Sequence, residues 1–302
     1  MSKVTLIKGE SRRKNIFESL KLLEKEIKEE IKERVILIKP NFVSVNIQKA
    51  ATEVDQVRGI LDFLAQFYQG RIIIAEGACG NTFEGFKNFG YFELKEEYGF
   101  KIEFLDLNRD NFEEVLISNQ EKIRFSKTIL DPSFFIISAA KLKVHDTVIA
   151  TLSLKNLALG AVLGRDKGKV HQGIKEINHN LYFLAKKRRP DLASIDGFYG
   201  MEGEGPVIGD MVKCGVAIAS LDPLAADRVG LEIMGINPED VGYLLYCYKG
   251  RLGEYDLKKI EIVGAVLEDC KRRFKLHSRI REMLLWKEEH PPKGLGKPIL
   301  YE

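Results

Sequence analysis

The chain has 302 residues, with 47 Lys and Arg against 44 Asp and Glu and a formal net charge of +3. That balance gives bulk charge no argument for nucleic acid, and 45% hydrophobic with 30% charged residues excludes a wholly disordered chain. No run approaches the ~18 apolar residues of a spanning helix, and Met1–Glu10 lacks the apolar core and cleavage pattern of a signal peptide.

Strand-like runs alternate with helical patterns. Val4–Ile7 reads as a strand, and Arg12–Glu33 carries helical spacing through Ile16, Leu20, Leu23 and Ile27. Val35–Ile38 is a strand ended by Pro40. Thr52 is a plausible N-cap for a helix over Val54–Phe67, stopped at Gly70. Strand Ile72–Ala75, a glycine-flanked helix and strand Ile102–Leu105 follow. Periodicity is weakest over Asn119–Pro132. Phe134–Ser138 is a buried-type strand, Val148–Val162 looks helical, and Ile174–Arg188 is clearly so. Leu192–Ile195 is a strand, followed by a glycine-rich loop through Gly209. Strand Val212–Ala219 meets Asp222-Pro223, a capping residue followed by Pro at the first helical position. Helices over Leu224–Met234 and Glu239–Tyr248 and strand Ile260–Val263 come next. This alternation predicts an α/β fold, a mostly parallel sheet covered by helices, in two lobes with a cleft between them. The expected division is an N-terminal lobe over 1–130, a motif-bearing lobe over 131–270 and a basic helical tail over 271–302. In that tail Lys271, Arg272, Arg273, Lys275, Arg279 and Arg281 have no acid between them. Leu276, Ile280, Met283 and Leu284 give it an apolar stripe, so a helix packed on the core with a solvated basic face is expected.

Ligands of open parallel sheets bind outside the carboxyl ends of the strands. The polar residues at those ends are Lys39 and Asn41; Glu76, Cys79 and Asn81; Lys141, Lys143 and His145; Asp196; and Asp222. Any one of them alone is better explained by solvation, and it is their coincidence over five strands that favours a site on that rim. Lys141, Lys143 and His145 alternate with Leu142 and Val144, so an extended chain puts all three on one face. Two ammonium groups beside an imidazole would attract an anion and lower the imidazole pKa so that it can act as a base near pH 7; the equal alternative is an exposed edge with solvated lysines. Lys155 lies in an almost uniformly apolar segment, where a lysine must snorkel, pair or shift its pKa. Gly164–Lys169, with Arg165, is a basic glycine-flanked loop without the P-loop spacing. Met201-Glu202-Gly203-Glu204-Gly205-Pro206 brings two carboxylates close, either as a hard-metal or acid–base pair or as a polar turn. Asp227 lies on the helix that Asp222 caps and reads as surface or packing rather than catalysis. Cys79, Cys214, Cys247 and Cys270 form no CxxC pair, so there is no ferredoxin-type or zinc-ribbon motif. Scattered thiols suit a reducing cytoplasm.

Lys39-Pro40-Asn41, His145, Leu154-Lys155-Asn156, His171, Asp196, Met201–Pro206 and Asp222 with Asp227 together resemble the domain-of-unknown-function 362 family, over roughly residues 35–240. Many members of that family carry a ferredoxin module with clustered cysteines, which this chain lacks. The family is in turn distantly similar to the nickel-pincer lactate racemases, which show His145, Lys155 and His171 in the same order. The resemblance implies that His145 is a proton-transfer base, that Lys155 bears a tethered cofactor and that His171 binds a metal, nickel by analogy. The racemases use a second catalytic His on an earlier glycine-rich loop. Gly77–Thr82 has none, so a one-base isomerase or redox variant is expected rather than a symmetrical racemase.

The expected function is isomerase-type proton transfer on a small anionic carboxylate. His145 and Lys155 would be catalytic. Lys155, His171, Lys39, Lys141 and Arg165 would hold the cofactor or anion, and His171, Asp196 and Glu202 the metal. The alternative is a non-catalytic anion-binding or redox-partner module with a protein partner. Neither a membrane nor a nucleic acid is expected as partner.

Overall fold

The computed structural model describes residues 1–288. Eleven strands are present among them: β1 Ser2–Lys8, β2 Val35–Lys39, β3 Ile72–Glu76, β4 Ile102–Asp106, β5 Phe112–Leu116, β6 Lys122–Ser126, β7 Phe134–His145, β8 Ile149–Thr151, β9 Leu192–Glu202, β10 Asp210–Ser220 and β11 Ile260–Gly264. Nine form one sheet in the order β11-β1-β10-β9-β7-β2-β3-β4, with β8 hydrogen-bonded to β7. The pairs β2–β3, β2–β7, β3–β4, β7–β9 and β1–β11 are parallel, while β10 runs antiparallel to both β1 and β9. This is the expected mostly parallel α/β sheet. The stretches expected as two lobes interleave in it: β2 from 1–130 pairs β7 from 131–270, and β1 pairs β10 and β11.

The helices are α1 Arg12–Lys21, α2 Glu24–Ile31, α3 Val54–Leu64, α4 Thr82–Asn88, α5 Leu94–Glu97, α6 Lys127–Leu130, α7 Ser153–Gly160, α8 Asp166–Val170, α9 Ile174–Lys187, α10 Pro223–Met234 and α11 Gly242–Lys249. They cover both sheet faces. Ile36 and Ile38 pack with α1 to α3, whereas Leu37 and Ala140 pack with α7, α9 and α10. Alternate residues of a strand point to opposite faces, so central strands such as Val35–Ile38 are apolar throughout.

Several local expectations change. The helix expected over Arg12–Glu33 breaks at Leu22–Leu23, with neither Gly nor Pro to mark it. Thr52 caps no helix: its hydroxyl accepts from Asn41 N and donates to Ala139 O, tying the loop after β2 to β7. The segment Val148–Val162 is not one helix. It opens as β8, which pairs with the end of β7, and turns helical only at Ser153. The low-periodicity stretch holds β6, which pairs with β5 just before it, and the short helix Lys127–Leu130. As expected, Asp222 caps α10 through Leu224 N and Ala225 N, with Pro223 at its start.

The tail is an extended strap before it is helical. Arg272 N and Phe274 N donate to Ile233 O and Met234 O, and Gly203 N donates to Lys275 O. The short helix Ile280–Met283 follows, with Met283 and Trp286 buried on the core. Residues 289–302 of the expected tail lie outside the described residues. Among the described residues no helix is long and apolar enough to cross a membrane.

Candidate functional site

Strands β2 and β3 end side by side at Lys39 and Glu76, β7 runs on past them to His145, and all three residues line a cavity of about 340 Å³. Lys155, Asn156, Leu159 and Gly160 of α7 form one wall. The loops after β2 and β9 supply Phe42, Val43, Pro206 and Val207. Lys167, His171, Cys79, Asp146 and Thr147 complete the lining.

His145, Lys155 and His171 all line this one space. Lys155 Nζ is 3.0 Å from His145 Nε2. On the other side of the ring, Nδ1 lies 3.0 Å from Asp146 Oδ1 and 3.1 Å from Thr147 N. A carboxylate oxygen only accepts and a backbone N–H only donates, so Nδ1 has a partner in either neutral tautomer. Burial, then the Lys155 charge, lowers the His145 pKa from its ordinary 6.5 to about 3. Burial likewise lowers Lys155 to about 8. Among the described residues no carboxylate forms an ion pair with Lys155; the Asp146 carboxylate, across the His145 ring, favours its charge but does not offset the burial. His171 stands at the mouth, exposed to solvent, with Nδ1 2.9 Å from Lys167 O. A carbonyl only accepts, so Nδ1 carries the hydrogen and Nε2 keeps the lone pair. Surrounding protein, then the Lys155 charge, lowers its pKa too.

Two long-range contacts hold Lys155 in place. Asp227 on α10 accepts Ser153 N at 2.8 Å and Leu154 N at 3.0 Å, capping the first turn of α7 from another helix. Burial pushes Asp227 up to about 8, against the pull of those two N–H donors. At the other end of α7, Gly160 lies under Lys39: a Cβ there would sit 2.1 Å from Lys39 Cε. The chain between β7 and α7 is bent by Ile149, whose φ of +70 puts a β-branched residue in the left-handed region. Such a conformation costs about 1–3 kcal/mol.

The remaining expected site residues separate. Lys39 lines the cavity, but Glu76, Pro40 O and Asn156 Oδ1 engage its three N–H donors. It is therefore corrected from an anion binder to a structural cation. Lys141 lies outside the lining, donating to Lys49 O and 3.9 Å from Glu53. Lys143 likewise donates to Asn41 Oδ1 and Ala50 O. Arg165 is exposed and does not reach the cavity, where Lys167 stands instead. Asp196 is buried in an ion pair with Arg12 at 2.9 Å. Glu202 and Glu204 hold the tail strap, accepting from Lys275 N and from Ser278 N, with His277 3.0 Å from Glu204. His171, Asp196 and Glu202 thus do not form a shared metal site, because the last two are taken by Arg12 and the strap. Among the described residues no three His, Cys, Asp or Glu side chains group to hold a metal.

Lys167, Asp146, Thr147 and Asp227 were not among the expected site residues. Lys167 donates to Asn108 Oδ1 at 2.9 Å, and burial lowers its pKa to about 8. Its place in the basic loop beside Arg165 was a signal for an anion, but not for which cation faces it. Asp146 directly follows His145, an adjacency that signals a ring partner. The contact of Asp227 spans more than 70 positions and has no local signature.

A family model described as domain of unknown function (DUF362) matches residues 36–232. The thylakoid-associated protein sll1697 of Synechocystis sp. is 29% identical over 218 residues, which cover 68% of this chain and 64% of that protein. This chain therefore spans less than two thirds of that relative's length. A crystal structure of a Thermotoga maritima protein, solved as a structural-genomics target, aligns with a TM-score of 0.44 at 14% identity, over 72% of this chain and 57% of the other.

Proposed function

The chain belongs to the DUF362 family, and on that premise we propose that it is a proton-transfer enzyme for a small anionic substrate bearing a carboxylate. Lys155 and His145 are its acid–base pair. The observation that carries this reading is the surroundings of the His145 ring. With Nδ1–H facing Asp146, Nε2 accepts from the Lys155 ammonium. With Nδ1 accepting from Thr147 N, Nε2–H donates to the neutral Lys155 amine. The two states differ by one proton: as Lys155 Nζ gives a proton to Nε2, Nδ1 gives one up toward solvent or substrate, and the ring need not move. An amine with a pKa of about 8 exists in both forms near neutral pH.

Lys167 and Lys155 give the cavity its cationic groups, while Phe42, Val43, Leu159 and Val207 make it apolar enough to strengthen a charge contact. Lys167 has two N–H donors beyond its bond to Asn108 and suits a carboxylate. His171 Nε2 offers a second base at the mouth. The metal-dependent version of this chemistry is not adopted: the donors around His171 do not fit a protein-held metal, and no step is assigned to one. The reading includes a cytoplasmic site of action, which four unpaired thiols suit.

The test is solvent deuterium exchange into a panel of small carboxylates with an acidic C–H beside a carbonyl or the carboxylate. The native protein is expected to catalyse exchange, with a loss of about 10²–10⁴-fold in Lys155→Met and His145→Gln. No exchange across the panel, or exchange that survives both substitutions, overturns the reading.

A further inference from the structure

We infer that the cavity takes a small oxo acid whose carbonyl carbon becomes bonded to Lys155 Nζ as an imine. This rests on the proton-transfer reading of the same cavity and names its substrate class. Four lysines reach the region around these strand ends, and their neighbours divide them. Lys39 has all three donors engaged, one by the buried Glu76 carboxylate. Lys143 donates to an amide oxygen and a backbone carbonyl and lies outside the lining. Lys167 donates to Asn108 Oδ1. Lys155 alone of the four has a nitrogen base, His145 Nε2, at 3.0 Å in place of an oxygen acceptor. A desolvated amine with a base beside it and no carboxylate in ion-pair contact is a nucleophile.

The cavity supplies what the rest of an oxo acid needs. The two remaining donors of Lys167 receive the carboxylate, and the apolar wall of Phe42, Leu159 and Val207 excludes water from the carbonyl end. The volume of about 340 Å³ limits the ligand to a small acid. Neutral Lys155 Nζ attacks the carbonyl carbon, and His145 Nε2 carries a proton from the nitrogen to the oxygen to give a carbinolamine. A second proton delivered through His145 breaks the C–O bond and the oxygen leaves as water. From ammonium and ketone or aldehyde to iminium and water, the single positive charge is kept and no oxidant or reductant takes part. The iminium then acidifies the adjacent C–H, which is the proton transferred.

Glyoxylate is the probe, with sodium cyanoborohydride to reduce any iminium to a stable secondary amine and peptide mass spectrometry to map it. At pH 7 the neutral fraction of an amine with pKa about 8 exceeds that of an ordinary lysine by ~300-fold. The reduced adduct is therefore expected at Lys155 with about that preference over exposed lysines in the native chain. It is expected to be lost on heat-unfolding the chain before labelling and in Lys155→Arg, whose melting is checked alongside. Deuterium exchange into carboxylates without a reducible adduct at Lys155 overturns the imine and leaves the proton-transfer reading standing. Labelling spread evenly over the lysines overturns the imine as well. Neither calorimetric glyoxylate binding nor adduct, with no exchange, overturns both.

Discussion

Two sets of buried lysines lie within a few strands of each other and do opposite things. Lys39, Lys141 and Lys143 point their ammonium groups at carbonyls, amide oxygens and carboxylates: Lys39 ties β2 to β3 and α7, and Lys141 and Lys143 fasten the loop after β2 to β7. Lys155 and Lys167 face the cavity, and Lys155 touches an imidazole in place of an acid. A buried lysine therefore says little until its acceptors are counted. The first set is part of the fold, and the second is charge held in a costly place for a ligand.

The largest expected effect breaks the first set. Lys39→Met leaves Glu76 buried and unpaired, and a loss of about 3–5 kcal/mol in denaturant unfolding is expected. Lys155→Met, by contrast, should melt at or above the native temperature, because it removes a buried charge without orphaning an acid. If both substitutions cost the same, the two sets are not different in kind.

Next in size is Asp227→Ala, which strips the acceptor from Ser153 N and Leu154 N inside the protein. About 1–3 kcal/mol of stability is expected to go, with faster hydrogen exchange at those two amides. Unchanged protection of both amides contradicts the capping role.

A pH series sharpens the second set. The folded pKa of Lys155 lies below its ordinary 10.5, so between about 8 and 10.5 the unfolded chain binds more protons and native stability climbs with pH. The stability advantage of Lys155→Met is expected in full below pH 8 and to shrink toward pH 10.5. For His145, lowered from 6.5 to about 3, the same sign puts a loss of stability on the acid side, as pH falls through that interval. His145→Gln should lose this contribution. A difference profile flat in pH for either variant contradicts the assignment.

The smallest effects belong to residues outside the cavity. Arg165→Ala should change neither ligand binding nor stability by more than ~0.5 kcal/mol. Glu204→Ala loosens the strap at a solvent-screened ion pair and should lower the melting temperature only slightly. A large drop in carboxylate binding in Arg165→Ala makes Arg165, not Lys167, the anion's cation.

The α/β sheet was legible because apolar runs such as Val35–Ile38 and Ile72–Ala75 carry their own pattern, as did the Asp222-Pro223 helix start. Lys155 was legible as an anomaly, a lysine among Leu152, Leu154, Leu157 and Leu159, and His145 as a polar residue at a strand end. The end of β7 was not: β8 pairs with it through only three residues, which are as apolar as the helix that follows. The roles of Lys39 and Lys141 were hidden because acceptors such as Asn156 Oδ1 and Lys49 O are distant in sequence. Glu202 and Glu204 have the spacing of a metal pair, but their partners are the backbone N–H groups of a strap some seventy residues on.

The pairing of Lys155 with His145 is tested most directly by titrating both side chains by NMR in protein labelled at lysine Nζ and the histidine ring. The expected result is a Lys155 midpoint near pH 8, with the His145 Nε2 resonance responding in the same step and that response absent in Lys155→Met. A Lys155 midpoint near the ordinary 10.5, with a His145 ring that titrates independently, contradicts the proton-transfer pair.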